Sequence, residues 1–319
     1  MGRRTWPRTA FSAFIVAVMT WVSPAAEPFD SGRIPFTVRF GGEEIFHRTM
    51  AVFVLPEEVI DMGVVEDSGA AFTAYAEAGH LSDAGPNRWT WTAPAESGPT
   101  VLSVCSEPEG EAAVLRAFVL MPLNEVKRGS INGYEIGKYP RKRHRGLAIY
   151  DPPAGLVEVT PEMLSVPVSP HFRLGQFLSR QDGGPPQYLA LRMPFLTKLE
   201  LILERINDRG IRCDTLTILS GYRTPHYNGK SGGGTYSRHC WGDAADVIVD
   251  ASPQDGVMDD LNKDGRVTPK DAEFLYDLID ALMGEPGMEP YAGGLERYRK
   301  TRTHGPYVHV DARGHRARW

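Results

Sequence analysis

The sequence predicts an α+β domain with an antiparallel sheet in its second half, preceded by an all-β unit with the strand spacing of a sandwich. Three observations carry this reading. From Ile34 to Leu123 the chain consists of short alternating runs broken by Gly, Pro, Asp and Asn. Two stretches, "MPFLTKLELILERIND" and "AEFLYDLIDALMG", read as helices. Around them lie the strand-like segments "TLTILSGYR", "ADVIVDA" and "PYVHVDA".

With 319 residues, 42% of them hydrophobic, the chain is long enough for two domains with real cores. A net charge of -5 gives no general attraction to nucleic acid. At the front, Arg3, Arg4 and Arg8 precede an apolar run from Phe11 to Val22, then small residues near Ala25 and Ala26. That pattern predicts a signal peptide over 1–26 and export to the periplasm or cell envelope. The run is shorter than the roughly 20 residues of a spanning helix. No later segment could cross a bilayer, so no membrane span is expected after cleavage. The Arg3-Arg4 pair leaves the export route open.

The all-β unit is expected over 27–123. Its runs "FTVRFGG", "MAVFVLP" and "AAVLRAFVLMP" alternate at period two, as half-buried strands do. Within it, "WTWTAPAESGPTVLSV" resembles a strand, turn and strand of bacterial immunoglobulin-like domains. No catalytic constellation occurs there, so binding or spacing is its expected role. Residues 124–169, rich in Gly, Pro and charge, read as a linker. They include "PRKRHRG", either a solvated loop or a contact for anionic envelope polymers. The second domain spans 170–319. In its first helix Phe195, Leu196, Leu199, Leu203 and Ile206 recur at helical spacing. Three cysteines cannot all pair within one chain. A Cys213–Cys240 bridge and three small buried thiols both remain open.

"SRHCWGDAADVIVD" places His239 and Asp246 seven positions apart, with Gly242, Ala244 and Ala245 between them. Small side chains there let two polar ones converge. "ADVIVDA" and "YVHVDA" should be strands, and as neighbours about 4.8 Å apart they would present Asp246 and His309 on one face. Two imidazoles and a carboxylate at roughly 2.0–2.2 Å make a tetrahedral zinc site with the fourth position open, which points to catalysis. Each residue also has an ordinary structural explanation, and it is their joint arrangement that favours metal.

"SRHCWGDAAD" matches the Ser-x-His-x-x-Gly-x-Ala-x-Asp motif of the M15 zinc peptidases, the LAS group that includes D-Ala-D-Ala carboxypeptidases and murein endopeptidases. "SGYRTPHYN" upstream resembles that family's Ser-Gly-Tyr-Arg element, and "YVHVDARGHRARW" its closing His-x-Asp strand. The resemblance covers about 170–319. It implies His239, Asp246 and His309 as zinc ligands, Arg223 as the arginine that contacts substrate, and Ser237 as a residue ordering the ligand loop. It also implies peptidoglycan peptides as substrate. Several members place an acid three residues before the last ligand, where this chain has Pro306. Asp311 and His304 are then the candidate bases, with Asp311 equally able to orient a ligand and His304 equally a surface residue.

A second ion is expected between the ligands. In "DDLNKDGRVTPKDAEFL", counting from Asp260 gives Asn262, Asp264, Gly265, Arg266 and Asp271 in the places of an EF-hand calcium loop, ending in Asp as dockerin repeats do. The other reading of loop 260–271 is a turn whose Thr268 and Asp271 cap a helix. Taken together, the sequence predicts an exported zinc peptidase acting on bacterial cell-wall peptides. The competing expectations are a catalytically silent LAS-like protein that grips those peptides, and an adaptor working through its sandwich.

Overall fold

The computed structural model describes residues 1–2, 28–65, 69–107, 110–299, 301 and 304–319. Apart from Met1 and Gly2, the segment read as a signal peptide lies outside the described residues. Among the described residues no helix is long and apolar enough to cross a membrane.

Among the described residues the first nine strands are β1 (Arg33–Phe40), β2 (Glu43–His47), β3 (Thr49–Val54), β4 (Val59–Val64), β5 (Ala71–Ala76), β6 (His80–Gly85), β7 (Arg88–Thr92), β8 (Gly98–Glu107) and β9 (Ala112–Val119). They form a five-stranded sheet, β2-β1-β4-β7-β6, and a four-stranded sheet, β3-β9-β8-β5. Alternation sends Ile34, Phe36, Val38 and Phe40 of β1 inward. Phe36 meets Phe72 of β5 edge-on at 4.9 Å, joining the two sheets. One pairing departs from the expected alternation of direction: β3 runs parallel to β9 along its whole length. A parallel neighbour needs a long crossover, and β4 to β8 supply it.

The stretch whose composition marks it as a linker, 124–169, is folded. After β10 (Met121–Pro122) come the hairpin β11 (Ser130–Ile131) and β12 (Tyr134–Glu135), then β13 (Gly155–Val159). β13 pairs with β10 on one side and with β14 (Gln187–Leu189) on the other. Ile136, Tyr150 and Leu156 are buried. Its glycines and prolines therefore make turns between very short strands.

The second half carries α1 (Met193–Asp208), β15 (Thr217–Ser220), α2 (Pro225–Lys230), β16 (Ala244–Ile248), α3 (Pro269–Leu282), β17 (Gly294–Tyr298), β18 (Tyr307–Asp311) and β19 (Ala317–Arg318). Its sheet runs β15-β16-β18-β17-β19, antiparallel except for β17 with β19. Few helices beside mixed sheets make this part α+β. Proline in the first turn starts both α1 and α3, where its missing N–H costs nothing. All five apolar positions predicted for α1 are buried, and so are Lys198 and Glu200. The helix is thus covered on several sides. Lys198 Nζ donates to the Asp311 carbonyl at 2.7 Å, and Glu200 accepts from the His171 backbone N–H at 2.9 Å. Ala245, Val247, Leu295, Val308 and Val310 fill one face of the sheet with apolar core. The opposite face is left for polar residues. All three cysteines are free, with Cys213 and Cys240 in separate clusters.

Candidate metal centre

The register of β16 and β18 places Asp246 directly opposite His309. Directly opposed residues in an antiparallel pair share a face, so the two side chains meet there. His239 arrives from the 3-10 turn Arg238–Trp241 that precedes β16. Gly242 ends that turn at φ 73°, and a Cβ on it would lie 2.2 Å from the Ala190 carbonyl oxygen. Left-handed backbone and close approach both require glycine. The result is a buried cluster in which one ligand atom each of His239, Asp246 and His309 lies within 4.8 Å of the others.

Hydrogen bonds fix which ring nitrogens face inward. The Gly221 carbonyl can only accept, so His239 Nδ1–H donates to it at 2.7 Å, which leaves Nε2 toward Asp246 Oδ1 at 3.4 Å. His309 Nε2 faces Asp311 Oδ2 at 3.3 Å, and its Nδ1 lies 3.0 Å from Asp246 Oδ1. Burial alone would depress His309, but its bonds to Asp246 and Asp311 push it up to about 9. Burial lowers His239. Burial also opposes ionisation of Asp246, yet the bonds from both imidazoles hold its carboxyl well below the usual range. The donor set is two nitrogens and one carboxylate oxygen, oriented by Gly221 and Asp311. It fits a tetrahedral zinc ion with one position left open.

Arg223 lines the same cleft. Its Nη2 donates to Asp246 Oδ2 at 2.7 Å, its Nε to Ser220 Oγ at 2.8 Å, and its backbone N–H to the His239 carbonyl at 3.1 Å. It therefore steadies the oxygen of Asp246 that the imidazoles leave, while Nη1 keeps no partner among the described residues. Ser237 begins the ligand turn, donating its N–H to the Gly234 carbonyl at 2.9 Å and accepting from Cys240 N–H at 3.0 Å. The cleft, about 240 Å³, is walled by Tyr236, Tyr298, Tyr307 and Trp319 around Arg223 and Ser237. Tyr298 and Tyr307 stack at 4.7 Å, and Trp319 lies 5.5 Å from His309. A larger cleft of about 560 Å³, lined by Tyr134, Gln181, His226 and Tyr227, contains none of the cluster. Size alone does not locate the chemistry.

Neither candidate base opens onto the cleft. Asp311 is fully buried, accepting from the N–H groups of Gly294 and Arg313 and from the Arg313 guanidinium. Burial opposes its charge, but His309 and Arg313 hold it well below the ordinary aspartate value. Its position is that of a group orienting His309. His304 donates Nδ1–H to the Gly305 carbonyl and packs its edge on Tyr307 at 5.0 Å, and it is not among the residues lining the cleft.

Support for the ligand turn comes from residues that local sequence does not single out. Arg238 and Asp243 form a buried ion pair. The Arg238 guanidinium also sits 4.7 Å over the Tyr150 ring and donates to the Ile149 carbonyl at 2.9 Å. Tyr139 Oη donates to the Cys240 carbonyl at 2.9 Å. These partners come from the segment read as a linker. In the basic run, Arg143 pairs with Asp151 and His144 packs on Tyr150 and Tyr236.

The expected calcium oxygens accept backbone N–H groups. Asp260 takes those of Asp264 and Gly265 at 3.1 and 2.6 Å, Asn262 takes that of Asp264 at 2.9 Å, and Asp264 takes that of Arg266 at 3.1 Å. Asp271 accepts from Leu261, Asn262 and Thr268, completing a capping box with Thr268. The helix-cap alternative is thus realised. Among the described residues the loop's carboxylates do not converge as His239, Asp246 and His309 do.

Buried His–Asp–His donors beside an arginine, at the edge of an aromatic-walled cleft, make up the site of a metal-dependent hydrolase. Residues 191–265 match the model of the family described as Peptidase M15. The match takes in Arg223, Ser237, His239 and Asp246, and supports peptidase activity. No curated protein matches the chain.

Proposed function

We propose that this chain is an exported zinc-dependent peptidase that hydrolyses peptide bonds in bacterial peptidoglycan, either in stem peptides or in cross-links. The convergence of His239, Asp246 and His309 beside Arg223 carries the reading. Bound there, zinc would supply Lewis-acid polarisation of the scissile carbonyl and an acidified water. His239 and His309 present Nε2 and Nδ1 respectively, held by Gly221 and Asp311. Arg223 would donate from Nη1 to the carbonyl oxygen as charge develops on it. Tyr298, Tyr307 and Trp319 give the peptide apolar walls and narrow the access of water.

The all-β unit is proposed to bind or space, in an immunoglobulin-like role, and loop 260–271 to take calcium on its sequence pattern. Incubating the purified protein with zinc and defined muropeptides, then separating products by mass, tests the reading. A new amine terminus with terminal D-Ala retained means endopeptidase, and loss of D-Ala means carboxypeptidase. A second reading, a silent protein that grips wall peptides, draws on Pro306 standing where an acid is expected. It predicts binding of the same muropeptides without any product.

A further inference from the structure

The cleft face of the sheet holds one more carboxylate. β17 pairs with β18 so that Glu296 lies directly opposite His309, on the side away from Asp246. Asp246, His309 and Glu296 therefore form a single row across three strands, with neighbouring Cβ atoms about 4.5–5.5 Å apart. Glu296 Oε1 accepts the Arg297 backbone N–H at 2.8 Å. Oε2 is buried and has no hydrogen-bond partner among the described residues. A buried carboxylate oxygen left unmatched costs stability, and every other acid on this face is matched: Asp246 by two imidazoles and Arg223, Asp311 by Arg313 and Gly294. Glu296 lines the adjoining cleft, which shares the walls Tyr298 and Trp319 with the catalytic one.

We infer that Glu296 supplies the base that Pro306 cannot, an inference that rests on the peptidase reading above. In the attack, the water oxygen bonds to the scissile carbonyl carbon while one of its O–H bonds breaks and the proton passes to Glu296. Glu296 then returns that proton to the amine nitrogen as the C–N bond breaks, so the carboxylate is regenerated. The acid thus comes from a neighbouring strand instead of from the turn before the last ligand.

The experiment compares wild type with Glu296→Gln and Glu296→Asp in zinc content, kcat and KM on a muropeptide, and melting temperature of the metal-free protein. Glu296→Gln should keep one zinc, lose about 10²-fold or more in kcat, leave KM near its wild-type value, and melt no lower than wild type, because Oε2 has no partner to lose. Glu296→Asp should recover part of kcat. Wild-type turnover with Glu296→Gln within about twofold of it overturns this inference and leaves the peptidase reading standing. Lost turnover accompanied by lost zinc or a clear fall in metal-free melting temperature makes Glu296 a structural prop and also overturns it. A wild-type protein that cleaves no muropeptide overturns both.

Discussion

Arg238 and Asp243 form an ion pair with neither side chain reachable by solvent, inside the same ten residues that carry His239 and Asp246. Removing one partner strands a buried charge. Asp243→Ala is expected to cost about 3–5 kcal/mol in urea unfolding, whereas an apolar replacement of both residues should cost much less. Equal losses in the two variants would show that packing, and not charge, holds this turn.

Metal content should follow the cluster. If the wild-type protein binds one zinc, His309→Ala and Asp246→Ala are each expected to lose it, because two remaining donors do not make a tight tetrahedral site. Full occupancy in both variants, measured by elemental analysis, would exclude this cluster as the metal centre.

Arg223→Ala separates stabilisation of charge from metal binding. Turnover is expected to fall by about 10² or more, the cost of removing one oxyanion donor, with zinc retained. Zinc loss would instead assign Arg223 to holding Asp246, its partner at 2.7 Å.

Loop 260–271 has its own measurement. If calcium binds the native state, its addition should raise the melting temperature by the linkage relation, equivalent to about 2.7 kcal/mol at a hundredfold excess over Kd. Asp264→Ala should abolish that rise and keep zinc. A melting temperature indifferent to calcium from micromolar to millimolar means that the backbone amides already occupying those oxygens are the loop's whole purpose.

His171 joins the first unit to α1, stacking on Phe29 at 4.7 Å and placing Nδ1 2.7 Å from Glu200. Burial disfavours its charge, but Glu200 and Asp30 outweigh burial and raise its pKa above the ordinary 6.5. A raised folded value stabilises fully below the unfolded value, and that stability disappears as pH climbs through the folded one. The stability difference between wild type and His171→Gln is therefore expected to be largest at acid pH and to shrink above pH 6.5. A difference that is constant with pH would leave only packing.

The three residues of the His–Asp–His cluster were legible because His239 and Asp246 are close in sequence and His309 lies in a strand-like run. Gly242, Ala244 and Ala245 announce a tight entry into a strand, and Asp246 and His309 sit in two runs whose alternation fixes their faces. Strand alternation also brought Asp311 beside His309. What it could not show was the Arg313 guanidinium that takes up its charge, although the Asp-x-Arg spacing was a usable signal. Glu296 stayed hidden for a different reason: its place depends on the register of β17 against β18, which "GGLERY" does not encode by itself. Residues 124–169 read as a linker because β11 and β12 are only two residues long and leave almost no periodicity, while β13 finds its partners β10 and β14 outside the segment.

Glu204 on α1 accepts both Nε and Nη2 of Arg33 at the start of β1, and buried His47 of β2 lies 3.5 Å from the same carboxylate. With the apolar core running on through both halves, the front unit is a wall of the enzyme's own interior and not a detachable module. A trimmed, catalysis-only fragment for biotechnological use would expose a greasy helix flank and a stranded glutamate, so it would need a redesigned α1 surface before it could be made in soluble form.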